Sequence, residues 1–383
     1  MLRPRLVFVL MLTLWLLAGT AGGQGRLQTY ETRYYIIHSD LDRDAVREVR
    51  SRITSMAEMY HQRTKGFAGQ ITRKLPFYVF SNAQDYYAAG GMKGSAGVFT
   101  GSGLMAVAGQ QTSGSTWHII QHEGFHQFVD AVIGGDIPIW VNEGLAEYFG
   151  HALYTGDGYV TGLIPPKRLA RLQQWIERGR ARPLDEVMMT SHAAWNAGLS
   201  IVNYDQAWSM VHFLAHGDNG RYQSAFNGFI RDVSRGMKWE HAWRKNFGTG
   251  TRAFEQKWRQ HWMQMPPDAT ADLLVKATVA TLTSFYARAF SQRQVFRSFA
   301  DFEQAARAGK LTCAPEDWLP PGLLQDALER CADCGQWQVR KRSGRFELVC
   351  TMPDQTVLTG SFKVRSRRVV PASVKVKIKR PRK

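Results

Sequence analysis

Two spacings of apolar residues alternate along the first third of the chain. In "RYYIIHS" (33–39) and "LPFYVFS" (75–81), β-branched and aromatic residues crowd into short runs bounded by polar ones, and each run reads as a strand. Between them, Val46, Val49, Ile53, Met56 and Met59 recur every three or four residues, which predicts a helix over 42–62 with one buried face. A glycine-rich stretch, "GGMKGSAGVFTGSG" (90–103), then leads into the short apolar run "LMAVAG" (104–109), read as a third strand that is either internal or an edge able to pair with a peptide. From Thr116 onward the period is helical. One helix runs to about Ile133 and stops at Gly134-Gly135; a second is opened by Asp136, with Pro138 in its first turn. Further helices are predicted over 167–178, 205–216, 221–235, near Trp239, and over 251–263. Trp140, Trp175, Trp195, Trp208, Trp243 and Trp258 fall beside apolar helix positions and are expected in the core.

The two prolines of "QMPPDAT" (264–270) cannot continue a helix, so this stretch reads as a boundary. An Ala-rich helix over 271–290, a cysteine-containing segment and a β-rich basic end follow. The expected fold is α+β: a small mixed sheet beside a mainly helical half over 24–265, then a smaller region over 266–383. A chain of 383 residues with 12 Trp and 20 Phe is long enough and apolar enough for such cores, and disorder is excluded.

The first residues change the picture of location. Arg3 and Arg5 precede an apolar run over 6–18 and the small residues 19–23, the layout of a secretory signal peptide. The run is shorter than the ~20 apolar residues that span a bilayer, and no second stretch of that length follows, so a secreted or periplasmic protein with no integral membrane segment is expected. The formal charge of +17 falls to +15 without Arg3 and Arg5. Residues 361–383 hold ten Lys or Arg and no acid, which suits an anionic polymer or envelope surface, or else a solvated tail with a Lys-protected edge strand, "VKVKIK". Cys313, Cys331, Cys334 and Cys350 make an even count behind a leader and predict two disulfides; Cys331 and Cys334 could instead be half of a zinc site, although no second CxxC pair accompanies them.

The chemistry concentrates in "HIIQHEGFHQFVDAVIGGDIPIWVNEGLAEYF" (118–149). On a helix His122 and His126 lie one turn apart on one face and can aim two imidazoles at a single point, the arrangement of two zinc ligands. Glu123, beside that stripe, is placed to take a proton from the water such a metal activates. Catalytic zinc takes a third protein ligand. Glu143 on the next predicted helix supplies it, and Glu147, one turn on, can accept the free imidazole N–H of a ligand histidine. His118 extends the same stripe and could replace Glu143, or be a packed histidine.

"HEGFH" together with "WVNEGLAEYF" resembles the gluzincin zinc metallopeptidases, and the layout that includes "YDQAWSMVHFL" and "FEQKWRQHW" looks like an uncharacterised bacterial peptidase-MA-like group, DUF1570-like, over about residues 30–265. The resemblance implies a zincin-like domain over 24–265 with one zinc ion on His122, His126 and Glu143, Glu123 as general base and Glu147 as a supporting acid. Tyr204 falls where related aminopeptidases carry a tyrosine that hydrogen-bonds the oxyanion; a core or capping tyrosine is the alternative. Two departures matter. The gap between His126 and Glu143 is shorter than in the best-known gluzincins, and "GGMKGSAGVF" lacks the acid with which aminopeptidases grip a substrate's N-terminus. The expectation is a secreted zinc endopeptidase acting on peptide or protein substrates. The rival is a zinc-containing scaffold of the cell envelope that binds anionic polymers.

Overall fold

The computed structural model describes residues 27–381 apart from 109–113, 136, 199, 249, 343 and 344. The leader expected at 1–23 and Asp136 lie outside the described residues. The chain begins with β1 (Gln28–Glu31), β2 (Tyr35–Ser39) and α1 (Arg43–Thr64), and continues through β3 (Leu75–Phe80), α2 (Ala83–Ala88), β4 (Gly97–Phe99) and β5 (Leu104–Val107). Asp42 caps α1 by accepting from the N–H groups of Asp44 and Ala45, and the buried face carries Val46, Val49, Ile53, Met56 and Met59, the stripe that the spacing predicts.

The five strands form one sheet in the order β1-β2-β3-β5-β4. The inner three run parallel and the outer two antiparallel, so the sheet is mixed. "LMAVAG" therefore makes no edge: β5 lies between β3 and β4, with Leu104, Met105 and Ala106 buried. The edge on this side is β4, inside the glycine-rich stretch. The Thr100 N–H donates to the Gly103 carbonyl at 3.1 Å, closing the turn that folds β4 back on β5. Three residues flanked by glycines carry too little apolar pattern to announce a strand.

The helical half comprises α3 (Gly114–Phe128), α4 (Ile139–Gly150), the small hairpin β6 (Leu153–Tyr154) and β7 (Tyr159–Val160), then α5 (Pro166–Glu177), α6 (Leu184–Met189), α7 (His192–Ala197), α8 (Ile201–Gly220), α9 (Gln223–Ser234), α10 (Trp239–Phe247) and α11 (Thr251–Met263). After α3 the chain makes a wide π turn over Val129–Ile133. Gly134 and Gly135 then reverse it with φ of 63° and 70°, which glycine adopts without strain. Pro138 sits just before α4 rather than inside its first turn. A methyl group on Gly135 would lie 2.4 Å from the Ser234 carbonyl oxygen at the end of α9, so the turn is pressed against main chain. α4 is buried almost throughout and packs between α3 and α8; at Gly144 an added Cβ would come within 2.5 Å of the Ala207 carbonyl, so α8 approaches α4 over a bare backbone. Of the tryptophans expected inside, Trp140, Trp195, Trp208, Trp243 and Trp258 are buried and Trp175 is half-buried.

Beyond 264–270 lie α12 (Ala271–Ser291), α13 (Phe299–Arg307) and α14 (Pro321–Cys334), then β8 (Gln336–Arg342), β9 (Arg345–Thr351), β10 (Val357–Ser361), β11 (Val364–Arg365), β12 (Arg368–Val369) and β13 (Lys375–Lys379). A four-stranded antiparallel sheet, β13-β10-β9-β8, packs on α12 around a second core that includes Leu282, Tyr286, Phe302, Leu323 and Leu348. Tyr154 of the small hairpin belongs to that core while its hydroxyl meets Ser51 of α1 at 2.7 Å, and Arg288 pairs with Asp157 at 2.8 Å. Those contacts join the two halves. Among the described residues no helix is long and apolar enough to cross a membrane.

The expected disulfides do not form, and all four cysteines are free thiols. Cys331 and Cys334 donate to the Leu328 and Arg330 carbonyls of the last turn of α14 at 3.1 and 3.2 Å, Cys350 is buried on β9, and Cys313 is exposed. Nor do the cysteines group as metal ligands among the described residues.

Candidate metal centre

α3 carries His118, Ile119, His122, Glu123 and His126, and its helical pitch brings the three histidines onto the side that faces α4. α4 answers with Asn142, Glu143 and Glu147, while His151 follows at its C-terminus. The His122 Nε2 and His126 Nε2 atoms lie 3.0 Å apart; Glu143 Oε2 lies 3.3 Å from the first and 3.6 Å from the second. Three donors bound tetrahedrally to one zinc at ~2.0–2.1 Å would stand about 3.3 Å from one another. The observed triangle has that size.

The neighbouring atoms turn those donors inward. His122 Nδ1 meets Glu147 Oε1 at 3.2 Å and His126 Nδ1 meets Asn142 Oδ1 at 3.1 Å, so both rings can donate from Nδ1 and keep Nε2 as the lone-pair atom. Glu143 Oε2 is buried with no aligned hydrogen-bond partner, although it lies between two imidazoles. A buried carboxylate oxygen left without a donor is costly unless a cation shares it, so the residues present fit a divalent ion.

The electrostatics lead to the same result. Burial alone would lower the His122 pKa, but Glu143 and Glu147 outweigh it and lift it to about 10. Burial would raise that of Glu143, and the two imidazoles instead hold it down at about 2. Glu147 is also held well below the usual carboxylate range against its burial, by His118, His122 and Arg168. The field at this point favours positive charge.

A second group, His118, Glu147 and His151, also brings its donor atoms together. Here the protein already provides the cation. Arg168 of α5 places Nη1 against both Glu147 Oε2 and His151 Nε2, and its Nε against Asp205, which Arg171 grips through two hydrogen bonds of 2.7 and 3.0 Å. Burial, reinforced by the Arg168 charge, pushes the His151 pKa down to about 3. His118 thus faces Glu147 at 3.7 Å and does not replace Glu143 at the other triangle.

Beside the triangle opens a cavity of about 710 Å³, whose wall includes His122, Glu123, Tyr204, Arg168 and Ile201. Glu123 Oε2 accepts the Phe99 N–H of the edge strand β4 at 2.8 Å, which fixes the carboxylate beside the imidazoles. Tyr204 lies on the first turn of α8, its ring 6.3 Å from that of His122 and packed edge-on against Trp195 at 5.5 Å. Burial, with the Glu143 charge second, raises its pKa and keeps the hydroxyl protonated.

The structure thus brings together His122, His126 and Glu143, sets Glu147 behind His122, and opens Glu123 and Tyr204 onto one cavity. Asn142, His151, Arg168, Arg171 and Asp205 escaped the sequence reading. Asn142 had a signal, its place directly before Glu143; Arg168 had none, since it reaches Glu147 only because α5 packs against α8 and α11. Residues 116–236 match the model of a family described as a protein of unknown function (DUF1570). No curated protein and no solved structure matches the chain. Over the segment that carries His118, His122, Glu143, Arg168 and Tyr204, the chain is DUF1570-like.

Proposed function

We propose that this chain is a zinc-dependent peptidase, an endopeptidase acting on peptide or protein substrates outside the cytoplasm. The observation that carries the reading is the convergence of His122, His126 and Glu143 at the size of a zinc coordination triangle, with Glu123 opening onto the adjoining cavity. Zinc held by these three residues supplies Lewis acidity, polarising a carbonyl oxygen and acidifying water. Asn142 and Glu147 keep the two imidazoles turned toward that point. Glu123, held by the Phe99 N–H, takes a proton from the attacking water and passes it to the leaving amine. The Tyr204 hydroxyl, still protonated at neutral pH, donates to the oxygen on which negative charge develops.

The open cavity supports an enzyme over a scaffold whose metal serves only structure. The test is a peptide-library digest with and without chelator, on the parent chain and on Glu123→Gln. The parent is expected to bind one equivalent of zinc and to cleave, with cleavage lost on chelation. Glu123→Gln should keep the zinc and lose about 10²–10⁴ in rate, the usual worth of a general base. Turnover in a zinc-replete Glu123→Gln sample would reject the mechanism.

A further inference from the structure

The basic end of the chain plays no part in the proposed chemistry, and the fold gives it a surface. Residues 336–383 hold fourteen Lys or Arg against two acids, Glu347 and Asp354, and so supply twelve of the seventeen net positive charges of the whole chain. Strand β13 alternates strictly: Val376 and Ile378 pack inward, while Lys375, Lys377 and Lys379 are exposed. The register carries the outward row across the sheet. Lys377 pairs with Thr359, which opposes the buried Val349 and then the exposed Gln338; Lys375 pairs with Ser361, which opposes Glu347 and then Arg340. Glu347 is already matched by Arg340 at 2.8 Å.

Beside this row the turn over 370–373 encloses a recess of about 340 Å³ whose polar lining includes Arg345, Lys363, Lys375, Lys377 and Ser373 with one acid, Glu347, the residue that Arg340 already matches. None of the four cations has an ion-pair partner among the described residues. Three lysines at alternate strand positions repeat their charge about every 7 Å along an edge.

We propose that this outer face of the C-terminal sheet binds an acidic polysaccharide, with the lysines of β13 tracking its carboxylates or sulfates and the recess holding one of them. Charge complementarity sets the sign of the partner. The neutral groups set its class: Gln336, Gln338, Thr359 and Ser361 lie on the same face and suit sugar hydroxyls. The rings of Trp337 and Phe346 are turned into the core, so no aromatic platform faces outward for a nucleobase. Among the described residues none of the exposed large apolar side chains lies on this sheet, so nothing there inserts into a lipid surface.

The test measures binding of the full chain to heparin and to polygalacturonate, with polyuridylate and phosphatidylglycerol vesicles as competing probes. The triple variant Lys375→Gln, Lys377→Gln, Lys379→Gln is compared with Lys65→Gln, Lys238→Gln, Lys310→Gln, which removes the same charge from exposed positions elsewhere. The first should weaken polysaccharide binding by about tenfold or more and flatten its salt dependence, and the second by less than about twofold, with both melting like the parent. Equal loss in the two variants, no loss in the first, or tighter binding of the parent to polyuridylate or vesicles would overturn the proposal.

Discussion

Two clusters of the same residue types lie side by side on α3 and α4, and they differ in what balances their charge. At His122, His126 and Glu143 a buried carboxylate oxygen faces two imidazole nitrogens with no aligned donor. At His118, Glu147 and His151 the guanidinium of Arg168 occupies that role. Histidine and glutamate at close range do not by themselves make a metal site. What distinguishes the first cluster is that, among the described residues, no guanidinium pairs with its carboxylate, and Glu147, shared by both, transmits the difference: one oxygen holds His122 and the other holds Arg168.

That contrast can be broken from either side. The largest effect is expected from Glu143→Ala, which should abolish stoichiometric zinc binding, read by metal analysis after dialysis, because two imidazoles remain where three donors are needed. Arg168→Met comes next. It leaves Glu147 and Asp205 buried without their shared cation and should cost about 3–5 kcal/mol in a denaturant titration; an unchanged midpoint would mean that the carboxylates find other partners. Glu147→Gln should weaken zinc about 10–100-fold while leaving it bound at one equivalent, since His122 loses its orienting charge.

Acidity sharpens the comparison further. His122, whose pKa is raised to about 10, carries a proton at neutral pH that zinc must displace. Apparent zinc affinity should therefore rise about tenfold per pH unit from pH 6 to 8 in a competition titration with a chelator of known affinity. In the protein without zinc the sign reverses: a raised histidine pKa stabilises fully below the unfolded value of about 6.5, and that stability is lost as pH rises through about 10. The smallest effect is expected for His118→Ala, under about threefold in zinc affinity, because His118 leans on Glu147 at 3.7 Å without entering the triangle.

Local spacing made some of the molecule legible in the sequence. The stripe of α1, the bounds of α11 and the histidine pair on α3 depend on residues three and four apart, a relation that the helix itself enforces. β4 was hidden because three residues among glycines carry no period, and its role as the edge beside Glu123 exists only once β5 has paired with β3. α13 and α14 were hidden behind the expectation of disulfides in the cysteine segment, where the thiols instead bond to helix carbonyls. The ring of Arg168, Asp205 and Arg171 is assembled from two helices far apart in the chain, and no motif marks it.

The reversal at Gly135 has a consequence for how this site tolerates change. Because an added methyl group there would meet the main chain of Ser234 and no movable side chain, relief has to come from displacing α4 or α9 as a body. A substitution at this surface turn, which joins the stretch carrying His126 to the helix carrying Glu143, would therefore be felt as an altered bite between two helices, and its expected signature is weaker zinc binding in a protein that otherwise folds.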